Sequence, residues 1–312
     1  MPLRVFVAGA TGVVGAALLP RLRERGHRTT ALARSAERAE QVEADEVVVG
    51  DVLDAERMRE LVAHAAPDVV VQAASGFRGA DLETGLSLTA RVREEGTRNL
   101  VRAATAAGVG RIVALATTAA YCPDGDDVLD EDAPLWTEAP GRWGELVRSV
   151  ANMEQSALTN PDIEGVVLRF GSLYGPGTGY APGGAVHEQV RGSALPLVTD
   201  GAGIASFTHV DDAVGAVLEV LNGGDPAAYN VVDNEPAETT EWLPAYARMV
   251  GGPEPVALTL EQARAQLDWI TVHQLTEQRG ATNFRIRETL GWRPAWPSWR
   301  EGFATLFGLW PG

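Results

Sequence analysis

A glycine-rich segment near the start of the sequence is the clearest candidate for chemistry. It reads Gly-Ala-Thr-Gly-Val-Val-Gly, follows the apolar run at residues 3–8, and precedes an apolar-periodic stretch that ends at Arg25. This order predicts a strand, a turn and a helix. Such glycines allow a tight turn, a close approach of backbone to pyrophosphate, and close packing of helix on strand. The helix start offers free N–H groups to phosphates. The segment therefore predicts a dinucleotide site that includes Gly9, Thr11, Gly12, Val13, Val14 and Gly15.

The charged residues limit the partners of the chain. It has 312 residues, of which 45% are hydrophobic and 22% charged, as in a globular protein with a full core. The formal net charge is -16, which argues against nucleic acids and anionic membranes as partners. All 26 basic residues are arginines, because the sequence contains no lysine. An anionic cofactor therefore has to be bound by individual arginines.

Cysteine usage and hydropathy give expectations about the compartment. Cys122 is the only cysteine, so the chain forms no internal disulfide bond. We find no secretory signal pattern and no apolar run of about 18 residues, which predicts a cytoplasmic protein. No group of His, Cys and Asp residues has metal-ligand spacing, and no nucleophile elbow occurs, so no metal site is predicted.

Apolar runs alternate with helical patterns along the first half of the sequence. Strands are expected at residues 3–8, 29–33, 46–49, 68–73, 111–117 and 163–170, and helices at 35–42, 54–65, 84–107 and 142–158. Near-continuous apolar strands separated by helices are typical of a parallel sheet covered on both faces. We therefore expect an α/β fold with a doubly wound sheet of the Rossmann type. Pro20 lies inside the first predicted helix, where it should kink the helix or cost about 3 kcal/mol.

The second half of the sequence has a different pattern. Residues 171–208 are rich in glycine and proline and show little strand pattern. Residues 210–221, 239–250, 258–267 and 283–290 are helical, and 228–232 is one more strand. We expect residues 1–170 to form the dinucleotide-binding domain, with 209–233 returning to it. Residues 171–208 and 234–312 are expected to form a smaller, mostly helical lobe that binds the substrate over the carboxyl ends of the strands.

Several segments together resemble the extended short-chain dehydrogenase/reductase family, which includes nucleotide-sugar epimerases and dehydratases. They begin with VAGATGVVG and GDVLD, and continue through EEGTRNLVRAATAAGVGRIVALATTAAY, VLRFGSLYGPG, ASFTHVDDA and AAYNVVDNEP to ATNFRIRETLGWRPAWPSWREGF. The match covers nearly the whole chain, and the order and spacing of the segments make it specific. The resemblance implies a Rossmann-type fold, a bound NAD or NADP, and a substrate site between two lobes.

The resemblance also indicates which cofactor is bound. Members that prefer NAD usually carry an acidic residue at the end of the second strand, to bond the 2′-hydroxyl of the ribose. Here that position is Ala33, and Arg34 follows it. An arginine at this place suits the 2′-phosphate of NADP. We therefore expect NADP(H), with NAD as the less favoured alternative.

Further residues are expected around the same cofactor. Ser35 and Arg38 should lie beside the arginine that receives the 2′-phosphate. By resemblance, Asp51 and Val52 match the pair that contacts adenine. The backbone that passes the ribose is expected at Ala73, Ala74 and Ser75.

The catalytic Tyr-x-x-x-Lys pair of the family is missing. When Glu154 is matched to the glutamate of the helix after the fifth strand, Leu146 takes the place of the tyrosine and Val150 that of the lysine. No shift of the alignment restores the pair, because the chain has no lysine. Thr117 matches the active-site Ser or Thr of the family, and Tyr121 follows the fifth strand, where loops form the pocket rim. We expect Thr117 to orient the substrate and Tyr121 to act as the proton donor.

The sequence also departs from the family where nucleotide sugars are bound. Ala205 precedes His209 at the position where an arginine commonly grips the pyrophosphate. Ser172 replaces a usual asparagine, and Trp136 and Trp143 lie in the segment that should border the pocket. These changes favour a small, uncharged and fairly apolar substrate.

Other side chains that could take part in acid–base chemistry also have structural explanations. His187 follows two glycines and should begin a helix. The usual pKa of a histidine suits acid–base catalysis near neutral pH, but the sequence favours a histidine on the solvated face of a helix. Tyr174 and Tyr180 lie in the glycine-rich segment and are weaker candidates. His209 and Asp211 are expected to cap and brace the following helix.

The sequence leaves several functions open. The first is an NADP(H)-dependent oxidoreductase, or an epimerase- or dehydratase-type enzyme, with a non-standard active site. A non-redox lyase, isomerase or cyclase could keep the cofactor as a scaffold, and an inactive binding protein could sense NADP(H). We also expect a homodimer through the helices at 84–107 and 142–158, with apolar contacts from Leu86, Val101 and Leu146.

Overall fold

The computed structural model of the protein describes residues 1–76, 82–201 and 203–309. In chain order the strands are β1 (Arg4–Ala8), β2 (Arg28–Ala33), β3 (Glu46–Val49), β4 (Val69–Gln72), β5 (Arg111–Thr117), β6 (Val128–Leu129), β7 (Glu164–Phe170), β8 (Ser172–Tyr174), β9 (Leu197–Val198), β10 (Ile204–Ala205), β11 (Phe207–His209), β12 (Ala228–Val231), β13 (Ala237–Glu238), β14 (Ala257–Leu258) and β15 (Gly280–Ala281).

The helices are α1 (Val13–Glu24), α2 (Ala36–Ala39), α3 (Ala55–Ala65), α4 (Leu82–Arg91), α5 (Thr97–Ala106), α6 (Gly141–Leu158), α7 (Ala185–Arg191), α8 (Val210–Val220), α9 (Thr239–Met249), α10 (Leu260–Gln266), α11 (Trp269–Thr276), α12 (Phe284–Leu290) and α13 (Trp299–Leu306). A π-helical turn (Val92–Gly96) joins α4 to α5, and a 3₁₀ turn (Thr118–Ala120) follows β5. Within the described residues, no helix is both long and apolar enough to cross a membrane.

A seven-stranded parallel sheet in the order β12-β7-β5-β4-β1-β2-β3 is the central element. Its strands are short apolar runs, and every residue of β4 is buried. Because β1 pairs in parallel with both β2 and β4, the strand order reverses at this point of the sheet. Open α/β sheets bind ligands in the crevice at such a reversal. The predicted doubly wound α/β fold is confirmed.

The chain divides into two compact units. The first consists of Met1–Ala116, Leu135–Arg169 and Val214–Tyr229, and the second of Thr117–Pro134, Phe170–Ala213 and Asn230–Gly312. The segment Thr117–Pro134, which the sequence analysis places with the first domain, therefore packs with the second unit.

Helix α1 runs through Pro20 without ending there. Proline cannot donate a hydrogen bond to the carbonyl one turn earlier, which is that of Ala16. Both residues are exposed, so this carbonyl group can bond to water. The buried face of the helix consists of Val14, Gly15, Leu18, Leu19 and Leu22.

A π-helical turn divides the long helix that the sequence predicts at residues 84–107. A Cβ atom at Gly96 would lie 2.8 Å from Val52 Cγ2, so the glycine leaves room for this side chain. Asn99 Nδ2 also donates a hydrogen bond to the Val52 carbonyl, at 2.9 Å. Such turns often mark functional sites. A helical sequence pattern does not show where one extra residue enters a turn.

A buried ion pair joins α6 to β7 within the first unit. Arg169 donates to both carboxylate oxygens of Glu154, from Nε at 2.8 Å and from Nη2 at 2.6 Å. Both side chains are only 7% exposed. The pairing fixes the orientation of α6 against the sheet.

The second unit has an aromatic core. Tyr174, Tyr246, Trp299, Phe207 and Phe303 are all fully buried in one cluster. Its helices are accompanied by short strand pairs, in which β8 pairs with β11, β9 with β14, β10 with β13 and β6 with β15. The sequence pattern of residues 171–208 does not show these strands, because two- or three-residue strands are too short to have a recognisable alternation.

Candidate active site

Three backbone segments approach one another at the glycine-rich turn. Gly9 has φ +94°, and a Cβ atom there would lie 2.4 Å from the carbonyl carbon of Ala73, in the loop after β4. A Cβ atom at Gly15 would lie 2.2 Å from the carbonyl oxygen of Gly9. Gly12 N–H donates to the same oxygen at 2.9 Å. Only glycine fits at residues 9 and 15, so the start of α1 can lie directly against the turn.

A groove in the first unit brings most of the expected cofactor residues together. It is lined by Gly9, Thr11, Gly12, Leu32, Arg34, Arg38, Val52, Ala73, Ala74, Ser75 and Val92. It lies beside the start of α1, whose first turn contains no acidic residue. Free N–H groups and the positive end of a helix dipole favour phosphate binding. The donor set and the glycine turn therefore fit a dinucleotide.

Several expected residues lie outside the lining of this groove. Val13, Val14 and Gly15 belong to α1. Ser35 is the N-cap of α2, and its Oγ accepts a hydrogen bond from the Arg38 N–H at 3.3 Å. The Asp51 carboxylate accepts one from the Leu53 N–H at 3.0 Å.

Two residues of the lining are absent from the sequence-based set. Leu32 lies in β2 next to Ala33, the position from which the preference between NAD and NADP is inferred, and Val92 is the first residue of the π-helical turn. The position of Leu32 near the end of a strand could have identified it. Val92 has no signal in the sequence, because its position depends on the π-helical turn.

Two arginines of the groove are available for an anion. Arg34 is exposed and Arg38 is half-buried. Among the residues that the structure describes, neither guanidinium has an ion-pair partner. In a chain with a net charge of -16, two unpaired arginines at the end of β2 form a local positive site. A guanidinium pair of this kind can hold a phosphate by charge-assisted hydrogen bonds.

The loop after β4 is fixed by its own hydrogen bonds. Gln72 Oε1 accepts from the Ala74 N–H at 3.1 Å, and Gln72 Nε2 donates to the Val92 carbonyl at 3.4 Å. The Gly76 N–H donates to Thr89 Oγ1 at 3.1 Å. These hydrogen bonds within the protein fix the backbone on this side of the groove, so its shape does not depend on a bound ligand.

The two positions that the motif alignment matches to the catalytic pair of the family, Leu146 and Val150, are part of the apolar core. Leu146 and Val150 lie on α6 and are buried, with Val150 0% exposed. Between them, Ser149 Oγ donates to the Leu146 carbonyl at 2.6 Å and has no acidic or basic role. Helix α6 therefore supplies neither a phenol nor an ammonium group at these positions.

In the second unit, Tyr121 belongs to a buried polar chain. Its hydroxyl donates to Asn230 Oδ1 at 2.8 Å, and the residue is 4% exposed. The Asn230 N–H donates to Glu131 Oε1 at 2.7 Å. Glu131 in turn lies 3.5 Å from Arg285 Nε. The arrangement holds the Tyr121 ring in one orientation. Asn230 accepts from the Tyr121 hydroxyl with its side chain and donates to the Glu131 carboxylate with its backbone N–H, so the two groups are linked through this one residue.

Thr117 ends β5 and is half-buried. Its Oγ1 accepts a hydrogen bond from the Ala119 N–H at 3.2 Å, which caps the 3₁₀ turn. A hydroxyl that accepts this bond keeps its own proton for a further partner. Thr117 can therefore donate a hydrogen bond to a substrate oxygen or nitrogen.

In the second unit His187 and His209 have hydrogen-bond partners, and Tyr174 and Tyr180 pack in the aromatic core. His187 is buried, not solvated, and its Nδ1 lies 2.9 Å from Glu188 Oε1. His209 Nδ1 accepts a bond from the Asp211 N–H at 3.1 Å, and burial lowers the pKa of His209. Burial strongly raises the pKa of Tyr174 and raises that of Tyr180 to about 12. Neither phenol therefore gives up its proton readily near neutral pH.

Two aspartates of the second unit are buried, and neither has a cationic partner in the part of the chain that the structure describes. The Asp212 carboxylate accepts bonds from the Ala295 N–H at 2.6 Å and the Trp296 N–H at 3.1 Å, while burial raises its pKa to about 6. Burial raises the pKa of Asp233 to about 8. Its Oδ1 accepts from the Glu235 N–H at 3.1 Å, and its buried Oδ2 has no partner among the described residues. Asp233 is therefore held in its neutral form at neutral pH.

The sequence as a whole matches a known family. A model of the NAD dependent epimerase/dehydratase family matches residues 5–231. The chain belongs to this family. The resemblance found from the motifs is thereby confirmed.

Relatives and solved structures extend the match over nearly the full chain. A 3-diazoavenalumate denitrifying reductase of a Streptomyces species is 48% identical over 303 residues, covering 96% of this chain and 99% of that protein. The UDP-glucose 4-epimerase of Mycolicibacterium smegmatis is 27% identical, covering 94% of each chain.

The fold is shared with solved structures. The Thermotoga maritima UDP-glucose 4-epimerase with UDP-glucose has a TM-score of 0.76 at 18% identity, covering 98% of this chain and 97% of that chain. The Bordetella bronchiseptica enzyme WbmG in complex with NAD and UDP has 0.76 at 19%, covering 99% and 97%. Since its relatives are reductases and epimerases, the chain is an NAD(P)-dependent enzyme.

Asp233 predicts a pH dependence of stability. Because its pKa in the folded state lies above that of an unfolded aspartate, its contribution to stability is complete below about pH 4 and is lost as the pH rises to about 8. In Asp233→Asn, whose amide keeps the acceptor for the Glu235 N–H, the melting temperature should fall less between pH 5 and pH 8 than in the wild type. The exposed Asp124→Asn serves as the control and should keep the wild-type slope. Parallel melting curves for Asp233→Asn and wild type would contradict the buried neutral carboxyl.

Proposed function

We propose that the protein is an NADP(H)-dependent reductase that transfers a hydride to the diazonium form of a small diazo compound and releases dinitrogen. The observation behind this proposal is that α6 contains neither tyrosine nor lysine. With the buried side chains of Leu146 and Val150 at the expected positions, this helix provides no proton relay. The 48% identical relative is a denitrifying reductase named for a diazo compound, which supports the same reaction type.

The proposed reaction does not need the missing pair. A carbonyl group that accepts a hydride also has to accept a proton on oxygen, which is the usual task of a general acid. A diazonium carbon differs, since the hydride forms a C–H bond while the C–N bond breaks. The balance is R–N₂⁺ + NADPH → R–H + N₂ + NADP⁺. The leaving group is neutral dinitrogen, so no proton is consumed or released.

For the cofactor we propose NADP(H) in preference to NAD. Arg34 and Arg38 line the groove at the end of β2, and no acidic side chain lies in its lining to bond a free 2′-hydroxyl. The cofactor supplies the hydride when bound. The glycine turn and the free N–H groups at the start of α1 are proposed to bind its pyrophosphate.

Thr117 and Tyr121 are the residues that we propose to contact the substrate. The Thr117 hydroxyl has a proton to donate, and Tyr121 is fixed through Asn230. For a diazonium substrate their task is orientation. Proton donation by Tyr121 would be needed only for a carbonyl substrate, and its hydroxyl would then have to leave Asn230.

For the substrate we propose a small, mostly apolar molecule without a nucleotide. Ala205 and Ser172 stand where the family commonly uses an arginine and an asparagine, so the chain lacks these two groups for a sugar nucleotide. Because the diazonium form is a cation, the proposed substrate differs from the uncharged molecule expected from the sequence and shares with it only the lack of phosphate groups. The second unit is proposed to supply the substrate-binding residues.

We further propose a homodimer through α4, α5 and α6. Leu86, Val101 and Leu146, which the sequence suggests as contacts, are already buried within the single chain. An interface therefore has to use exposed positions of these helices, such as Glu145 and Arg148.

Arg34 tests the cofactor preference. Removing its guanidinium in Arg34→Ala should weaken NADP binding by about 1.5–3 kcal/mol, the size of a charge-assisted hydrogen bond, and should leave NAD binding nearly unchanged. Calorimetry of both nucleotides measures this, with Arg25→Ala, an exposed arginine just after α1, as the control. Equal affinities for NAD and NADP that do not change in Arg34→Ala would refute the preference.

The reaction is tested with an aryl diazonium carboxylate as the probe. The protein should oxidise NADPH and release equimolar N₂ faster than a protein-free control. Thr117→Ala and Tyr121→Phe should each lower kcat and leave the Kd of NADPH unchanged. The loss for Tyr121→Phe should be smaller than the roughly 10²–10⁴-fold that follows removal of a proton donor. Tyr229→Phe, which removes another buried hydroxyl, is the matched control.

Three results would contradict this assignment. Wild-type kcat in both variants would show that neither residue acts on the substrate. Turnover of carbonyl compounds without N₂ release would indicate an ordinary reductase. Tight NADPH binding with no turnover of either substrate class would favour a sensor protein, or a non-redox enzyme that keeps the cofactor as a scaffold.

The oligomeric state is tested by light scattering at micromolar concentration. A dimeric mass is expected, and because the exposed side chains of α6 include charged residues, association should depend on salt. A monomeric mass at both low and physiological salt would refute the dimer.

A further inference from the structure

Gln72, the last residue of β4, has a buried amide that joins two walls of the cofactor groove. Its Oε1 accepts a hydrogen bond from the Ala74 N–H at 3.1 Å, and its Nε2 donates to the Val92 carbonyl at 3.4 Å. Ala74 and Val92 both line the groove, whereas Gln72 is 2% exposed and lies outside the lining. One side chain of the first unit therefore connects the loop after β4 to the π-helical turn.

The two partners of Gln72 determine which chemical group can serve at this position. The Ala74 N–H requires an acceptor and the Val92 carbonyl requires a donor, so the contacts themselves fix the orientation of the amide. A carboxylate has acceptors only and would direct an oxygen at the Val92 carbonyl. An apolar side chain would leave both backbone groups without this partner. A neutral side chain with one donor and one acceptor is therefore required.

The two walls that Gln72 joins are also in contact with the rest of the groove. A Cβ atom at Gly9 would lie 2.4 Å from the Ala73 carbonyl carbon, so the loop after β4 lies against the glycine turn. The π-helical turn packs at Gly96 against Val52, which lines the groove. The Gln72 amide therefore links the part of the groove at the glycine turn with the part at Val52.

We propose that Gln72 is a positioning residue for cofactor binding, whose amide holds the loop after β4 and the π-helical turn at the spacing that a dinucleotide requires. A groove whose walls are held in place before binding loses less conformational freedom when the ligand binds, which raises affinity. Gln72 acts through Ala74 and Val92 and contacts neither cofactor nor substrate. The proposal rests on the dinucleotide binding argued above, and not on the NADP preference or on the proposed reaction.

The first test removes both hydrogen bonds. Gln72→Met keeps the length of the side chain but has no donor and only a weak acceptor. It should weaken the binding of NADPH and of NADH by the same factor, about 3- to 10-fold, as expected for the loss of about one hydrogen bond. Both nucleotides should respond equally, because the contacts of Gln72 do not involve Arg34, the proposed ligand of the 2′-phosphate. Calorimetry measures both affinities.

Thr29→Val is the matched control for a loss of stability alone. It removes a fully buried hydroxyl of the first unit, which donates to the Asp45 carboxylate at 2.9 Å and lies outside the lining of the groove. This variant should have a lower melting temperature than the wild type and unchanged affinities for NADPH and NADH.

Gln72→Glu tests the need for one donor and one acceptor. A protonated carboxyl group has both, whereas the ionised form has acceptors only. Burial should raise the pKa of this carboxyl above its usual value of about 4.3. The NADPH Kd of the variant, divided by that of the wild type at the same pH, should be close to one near pH 5 and rise several-fold towards pH 8. This division cancels the titration of the 2′-phosphate. For Gln72→Met the ratio should not change with pH.

Two results would overturn the proposal. Wild-type affinities in Gln72→Met and Gln72→Glu, together with lowered melting temperatures, would show that Gln72 only stabilises the fold. A Kd ratio of Gln72→Glu that does not change with pH would show that the two hydrogen bonds do not set the affinity, and this result decides the question if Gln72→Met does not fold. Failure of denitrification with the expected affinities would remove the proposed reaction and leave this proposal standing.

Discussion

The first unit depends on a close backbone approach that side chains would prevent. Gly9 lies against the Ala73 carbonyl, and Gly15 lies against the carbonyl oxygen of Gly9, so the turn after β1, the start of α1 and the loop after β4 meet in one place. A methyl group at either glycine would separate them. The groove beside this contact has backbone N–H groups and a helix dipole at its base, which is the environment that a pyrophosphate requires.

Positive charge is the second constraint on this molecule. A chain with a net charge of -16 and no lysine has to place single arginines where an anion is bound. Arg34 follows β2 and Arg38 lies in α2, and both line the groove without an ion-pair partner among the described residues. Other arginines stabilise the fold instead, such as Arg169, which pairs with Glu154. Two guanidinium groups in one groove give this acidic chain a local site for an anion.

The proposed chemistry is chosen for a chain that has no lysine with which to form a Tyr–Lys pair. Leu146 and Val150 are not unpaired remnants of an active site but well-buried core residues of α6. A family fold that keeps its dinucleotide groove and loses its proton relay can still transfer a hydride. It needs a substrate carbon whose leaving group departs without protonation, and a diazonium carbon meets that condition.

Much of the first unit follows from local sequence. The strand Arg111–Thr117 has the predicted bounds, and α3 has those of the helix predicted at residues 54–65, with Asp54 as its N-cap. These features depend on apolar runs and on a capping side chain, which are local properties. The π-helical turn at Val92–Gly96 could not be predicted in this way, because there the chain packs against Val52, which is distant in sequence.

The candidate site could be predicted from the sequence where its residues follow strand ends, and not where its contacts join residues far apart in the chain. The glycine turn, Arg34 and the segment Ala73–Ser75 all line the groove, because they occur at strand ends that a sequence pattern can locate. Ser35, which is expected at the cofactor, caps α2 and lies outside the lining of the groove. The partner of Tyr121 is Asn230, far along the chain, and only the fold brings the two together.

The fate of the cofactor hydride tests this account most directly. The protein is incubated with NADPH that carries deuterium on both positions of nicotinamide C4 and with an aryl diazonium carboxylate, and the product is analysed by mass spectrometry. The account predicts one deuterium on the carbon that carried the diazo group, together with released N₂ and no deuterium incorporated from D₂O when the cofactor is unlabelled. A product whose new hydrogen comes from solvent, or one that keeps both nitrogen atoms, would contradict hydride displacement of dinitrogen.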